Sequence, residues 1–179
     1  MHLNEKRTPK QLLPRRRVLV SAFSLLMLVF TGGTIAMAEG EFRQIQIPER
    51  ENGYSIFDSQ SITTKPEFEK FVKSIEDADN FNNKDAFLST LRNAKIEFGK
   101  DSLVLLRHSE GSGSTKVTLN PPQLKNKQLI CKLERKAAQI GTADMAYYCY
   151  AFAVSKSAIK EVVFDNGRRT QTISTVSAK

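Results

Sequence analysis

At 179 residues the chain has room for one ordinary domain, and 40% hydrophobic with 26% charged residues is a globular balance that excludes a disordered polypeptide. The formal net charge of +8 invites a nucleic-acid reading, but six of the 27 Lys and Arg residues and one of the 19 acids precede residue 39. About +3 is left on the remainder, and a nucleic-acid partner loses its main electrostatic support.

Residues 1–38 read as a signal peptide. Lys6, Arg7, Lys10 and Arg15–Arg17 precede the apolar run VLVSAFSLLMLVF, and small residues follow, ending in Ala36-Met37-Ala38. That is an n-region, an h-region and an A-x-A cleavage site in order. An uncleaved anchor over residues 18–38 is the alternative, and only then does a membrane become a partner. Thr31, Gly32, Gly33 and Thr34 weaken such a span. Arg16-Arg17 hints at the twin-arginine route, but Pro14 and the missing Phe-Leu-Lys continuation fit it poorly. Export places the mature chain in a periplasmic or extracellular compartment.

After the leader, residues 39–53 form a short strand or extended arm, with Ile45 and Ile47 alternating with Gln44 and Gln46 before Pro48. The first helix has the clearest local signature. Thr64 caps it, Glu67 completes a capping box, and Pro66 sits in the first turn. Phe68, Phe71, Val72 and Ile75 make one apolar stripe. A second helix starts near Lys84 with Asn83 as cap and Phe87, Leu88, Leu91 and Ala94 on its buried side.

From Lys95 the period changes to two. SLVLLRH is a near-continuous apolar strand, SEGSGST a connection, KVTLN a strand ended by Pro121-Pro122, and IKEVVF a later strand. Asp165-Asn166-Gly167 signals a tight turn, after which residues 166–179 become an edge strand or a tail. The fold class expected from this order is α+β, with two short N-terminal helices packed on an antiparallel β-sheet over residues 54–165.

Between them, QLICKLERKAAQIGTADMAYYCYAFAV folds back around Ile140 and Gly141 as a hairpin. Cys131 then falls opposite Cys149, Leu129 opposite Ala151 and Leu133 opposite Tyr147. A disulfide between Cys131 and Cys149 is expected in an oxidising compartment. The spacing is not the C-x-x-C of a redox pair.

Signs of catalysis are few. His108 is the one histidine after the leader, and its neighbours Ser109 and Glu110 alternate across a strand, so a Ser-His-acid triad and a G-x-S-x-G elbow are both missing. GSGST resembles an anion nest, yet no Gly-Lys-Ser/Thr follows, so it is not a phosphate loop. Two cysteines and one histidine lack metal-ligand spacing, and no cofactor is implied.

The order of parts resembles the small domain of the protease-complex subunit PrcB family. Ile96, Phe98, Lys100 and Ser102 form its entry motif, Gly111 and Gly113 its loop, and Val154, Lys156, Lys160, Val162 and Phe164 its final strand. The resemblance covers about residues 54–165 and implies a non-enzymatic accessory domain that binds and stabilises a partner protein, such as an exported protease. A β-rich protease inhibitor or ligand-binding module of the cell envelope is the alternative. The binding candidates are Arg107, His108, Glu110, Ser112 and Ser114 at the SEGSGST loop, with the LNPPQ turn beside it, because recognition residues concentrate on loops held by a rigid sheet.

Overall fold

The computed structural model describes residues 40–176; the leader expected at 1–38 lies outside them. Among the described residues no helix is long and apolar enough to cross a membrane. Nine strands and two α-helices follow in the order β1 (Phe42–Ile45), β2 (Gln60–Ile62), α1 (Lys65–Glu76), α2 (Lys84–Asn93), β3 (Asp101–Glu110), β4 (Lys116–Leu119), β5 (Gln123–Lys125), β6 (Gln128–Lys136), β7 (Ala146–Ser155), β8 (Glu161–Asp165) and β9 (Thr170–Ser174). A 3-10 turn, Asn52–Ile56, precedes β2.

The expected fold class is corrected by this order. The molecule is mostly β, with two sheets, and its helices come after the first two strands. One sheet runs β1-β7-β3-β2; the other runs β4-β6-β8-β9 with β5 also on β6. The sheets face each other, and α1 and α2 cover the outer face of the first.

Both helices form where the sequence places them. Thr64 Oγ1 accepts from Glu67 N at 3.3 Å and the Glu67 carboxylate accepts from Thr64 N at 3.2 Å, closing the capping box of α1. Asn83 starts α2 without a side-chain cap; its Nδ2 instead donates to Glu51 Oε2 at 2.7 Å. The apolar stripes meet Leu103, Leu105, Ala151 and Ala153 of the first sheet. Opposite, Val104, Leu106, Tyr150, Phe152 and Val154 meet Leu129, Leu133, Val162 and Phe164 of the second. Strand alternation thus divides one sheet between two cores.

The expected hairpin between the two cysteine-bearing strands does not form. β7 pairs along its whole length with β3, from Asp101↔Ser155 to Glu110↔Ala146, and its other edge takes β1. No edge remains for β6, which pairs with β4, β5 and, in parallel, β8. Cys131 faces the core between the sheets, whereas Cys149 faces the helices, and both thiols are free. The physical reason is burial. YYCYAFAV is apolar on both faces and so suits a central strand beside SLVLLRH, while QLICKLERK alternates and suits a sheet with one buried face.

Candidate functional site

Because β6 and β7 lie in different sheets, residues 137–145 cross from one to the other. They meet the loop that follows β3. Gly113 N donates to Asp144 O at 3.0 Å and to Asp144 Oδ1 at 3.2 Å. Ser114 N donates to Thr142 Oγ1 at 3.1 Å, and Thr142 N donates to Ser112 Oγ at 2.9 Å. The Ser112 and Ser114 hydroxyls lie 2.9 Å apart. Arg50 clasps both loops, donating to Gly113 O at 3.1 Å and pairing with Asp144 at 3.4 Å. The Thr142 side chain, followed by the Gly113 amide, holds the Asp144 carboxyl below its usual range. A Cβ at Gly113 would overlap Asp144 Oδ2 and displace the Asp144 and Arg50 side chains from their bonds across the loops.

The SEGSGST segment is therefore tied down, and the Gly113 and Ser114 amides that an anion nest would offer are already bonded within the protein. Among the exposed side chains of the crossing are two large apolar ones: Ile140 is 85% exposed and Met145 49%. Neither stood among the sequence candidates. The available signal was an isoleucine and a methionine in an otherwise small and polar connection, QIGTADM.

The other sequence candidates separate. Ser112 and Ser114 belong to the loop pair. His108 and Glu110 point between the sheets and are buried. Glu110 is 3% exposed and accepts from Arg135 Nε at 2.6 Å and Arg168 NH2 at 2.6 Å. Hydrogen bonding to Arg135 holds its carboxyl below the usual range, against the opposing effect of burial. His108 Nε2 lies 3.5 Å from Glu110 Oε2 without a hydrogen bond, and its ring tilts over Tyr148. Burial lowers its pKa, outweighing the Glu110 charge. Arg107 projects from the opposite face, paired with Asp58 at 3.1 Å and lying over the Tyr147 ring. Grouping Arg107, His108 and Glu110 as one contact set at the loop root is thus corrected by strand alternation: two form a buried charge cluster and one lies across the sheet.

The LNPPQ turn lies away from these loops, in a groove of about 450 Å³ with Gln44, Gln46 and Glu49. Among the described residues no group of three or more His, Cys, Asp and Glu side chains is arranged to hold a metal ion. The molecule is thus a helix-covered, two-sheet β-sandwich with a fastened loop pair at the sheet crossing. No family model, curated protein or solved structure matches the chain.

Proposed function

We propose that this is an exported accessory protein without enzymatic activity that binds and stabilises a partner protein, an exported protease being the leading class. One observation carries the reading: Ile140 stands in solvent on a loop whose backbone is fastened to its neighbour by hydrogen bonds. An exposed aliphatic side chain on a pre-ordered loop supplies a binding anchor at small entropic cost. The reading is also supported by the enclosure of His108 and by the engagement of Ser112 and Ser114 with the 140–144 loop rather than with that histidine.

The test is capture of partners from the envelope fraction with purified protein, in parallel with Ile140→Glu. The expected result is a partner retained by the wild type and lost by the variant at unchanged melting temperature, with a longer lifetime for the bound partner. Abolished partner turnover would instead select the inhibitor alternative. Equal capture by both proteins would remove the loop pair from the interface.

A further inference from the structure

The exposed edges of the two sheets are not equivalent. β1 carries Arg43 and is followed by Pro48, and β4 runs into Asn120-Pro121-Pro122. Charges and prolines of this kind blunt an edge against further pairing. β9 reads TQTIS, with neither inside the strand, and Arg168-Arg169 precede it. It pairs with β8 alone.

The phase of that ladder is fixed at both ends. Thr175 N donates to Lys160 O at 3.0 Å and Asn166 N to Arg169 O at 3.1 Å. In an antiparallel pair the bonded residues recur every second position. Arg169, Gln171 and Ile173 therefore turn their backbone groups to β8, while Thr170, Thr172 and Ser174 turn theirs to the open edge. These three residues are exposed, and their amides have no partner among the described residues.

Facing this edge is the end of β2, where Ser59 Oγ bonds Arg107 N at 2.8 Å and Arg107 O at 3.2 Å in place of a ladder pair. The two sheets are tied by Ser102 Oγ donating to Thr175 O at 2.6 Å. Beyond that tie lies a groove of about 530 Å³, lined by Asp58, Ser59, Arg107, Arg169, Gln171 and Thr172 among others. Arg107 is neutralised by Asp58. Arg169 has no carboxylate partner among the described residues; with the Gln171 amide turned so that its oxygen faces the guanidinium, that oxygen accepts from Arg169 at 2.7 and 2.8 Å. The groove therefore combines free strand-edge donors with one uncompensated cation.

The geometry points to β9 as a docking edge for an extended acidic segment of a partner protein. The outward backbone groups of Thr170 and Thr172 extend the sheet onto that segment, and Arg169 pairs with one of its carboxylates. Main-chain bonds supply affinity in such strand addition, and the charge selects the sequence. This surface is independent of Ile140.

The probe is a fluorescein-labelled, acetylated peptide of alternating valine with threonine or aspartate, titrated by anisotropy into the full protein. Saturable binding is expected. It should weaken at least tenfold when lysine replaces aspartate, when alternate peptide amides are N-methylated, and in Arg169→Gln and Thr172→Pro. Ile140→Glu should bind as the wild type. The N-methylated peptide keeps the test decisive if Thr172→Pro fails to fold. No saturation at millimolar protein, or full binding of the N-methylated peptide, would overturn the proposal. Sedimentation of the free protein checks the other occupant: a dimer that Thr172→Pro renders monomeric would assign the edge to a second copy and overturn it equally.

Discussion

The two cores flanking the β3–β7 sheet each carry a buried carboxylate at the rim, and they satisfy it differently. On the helix side, Tyr54, Phe57, Phe71, Phe81 and Phe87 pack ring against ring, and Glu51 closes the rim with neutral donors. Asn52 N and Asn82 N reach its Oε1 at 3.0 and 3.2 Å, and Asn83 Nδ2 reaches its Oε2. Between the sheets the core is largely aliphatic and tyrosyl, and Glu110 is held by two guanidiniums. Glu51 fastens the 3-10 turn to the connection between α1 and α2. Glu110 joins elements distant in sequence, binding the end of β3 to β6 and to the β8–β9 turn. Cationic clamps make the second region the more sensitive to charge and to pH, and it lies beneath the loop pair.

The largest effect should come from the aromatic side. Phe87→Ala removes a fully buried ring in contact with four others. Urea unfolding should show a loss of about 3–5 kcal/mol. A much smaller loss would mean that the helices pack only loosely on the sheet.

Glu110→Gln should come next, at about 3 kcal/mol, the low end for breaking a buried ion pair because Arg168 is 53% exposed and can rehydrate. The pH dependence sharpens this. The folded-state pKa of Glu110 is lowered, so its stabilisation is present above the unfolded carboxyl value and lost as pH falls through the folded one. The pKa of His108 is lowered too, so stability begins to fall once pH drops below its ordinary 6.5. Glu110→Gln should flatten the profile in the lower range and His108→Gln in the upper, as read by chemical melts across pH.

Glu51→Gln should cost only about 1 kcal/mol, because an amide oxygen still accepts from both backbone donors. Equal losses for Glu51→Gln and Glu110→Gln would erase the distinction between the rims. The smallest effect concerns the thiols: a reducing agent should leave the melting temperature unchanged, and native protein should resist iodoacetamide until unfolded. Burial pushes Cys131 up to about 12 and raises Cys149 as well, which suppresses both thiolates. A reduction-sensitive melting temperature would restore the bridge between them.

The helix-side region was legible because a 3.6-residue stripe and a capping box are local signals: Thr64, Glu67 and the Phe68–Ile75 face sit where the pattern puts them. After the Asp165-Asn166-Gly167 turn the sequence left an edge strand and a tail open, and β9 pairs with β8 there. The sheet-to-sheet region was not legible, because alternation names the inward residues but not the neighbouring strand. Cys131 and Cys149 satisfy a hairpin register on paper, and what decides against it is the apolar character of β7 on both faces. Glu110 shares the parity of Val104, Leu106 and His108, but Leu103 and Leu105 are equally apolar, so parity alone did not mark Glu110 as inward. Its clamps, 25 and 58 residues away, required the tertiary fold.

The central claim is that the sheet crossing at 137–145 and the loop after β3 form one fastened surface. Native-state hydrogen exchange at the Gly113 and Ser114 amides tests it most directly, because both donate across the loop pair and nowhere else. The expected result is protection well above that of Gly141, abolished at Ser114 by Thr142→Val and reduced but kept at Gly113 in Asp144→Ala, where the residue-144 carbonyl still accepts. Exchange of Gly113 and Ser114 at unfolded-chain rates in the wild type would contradict the account.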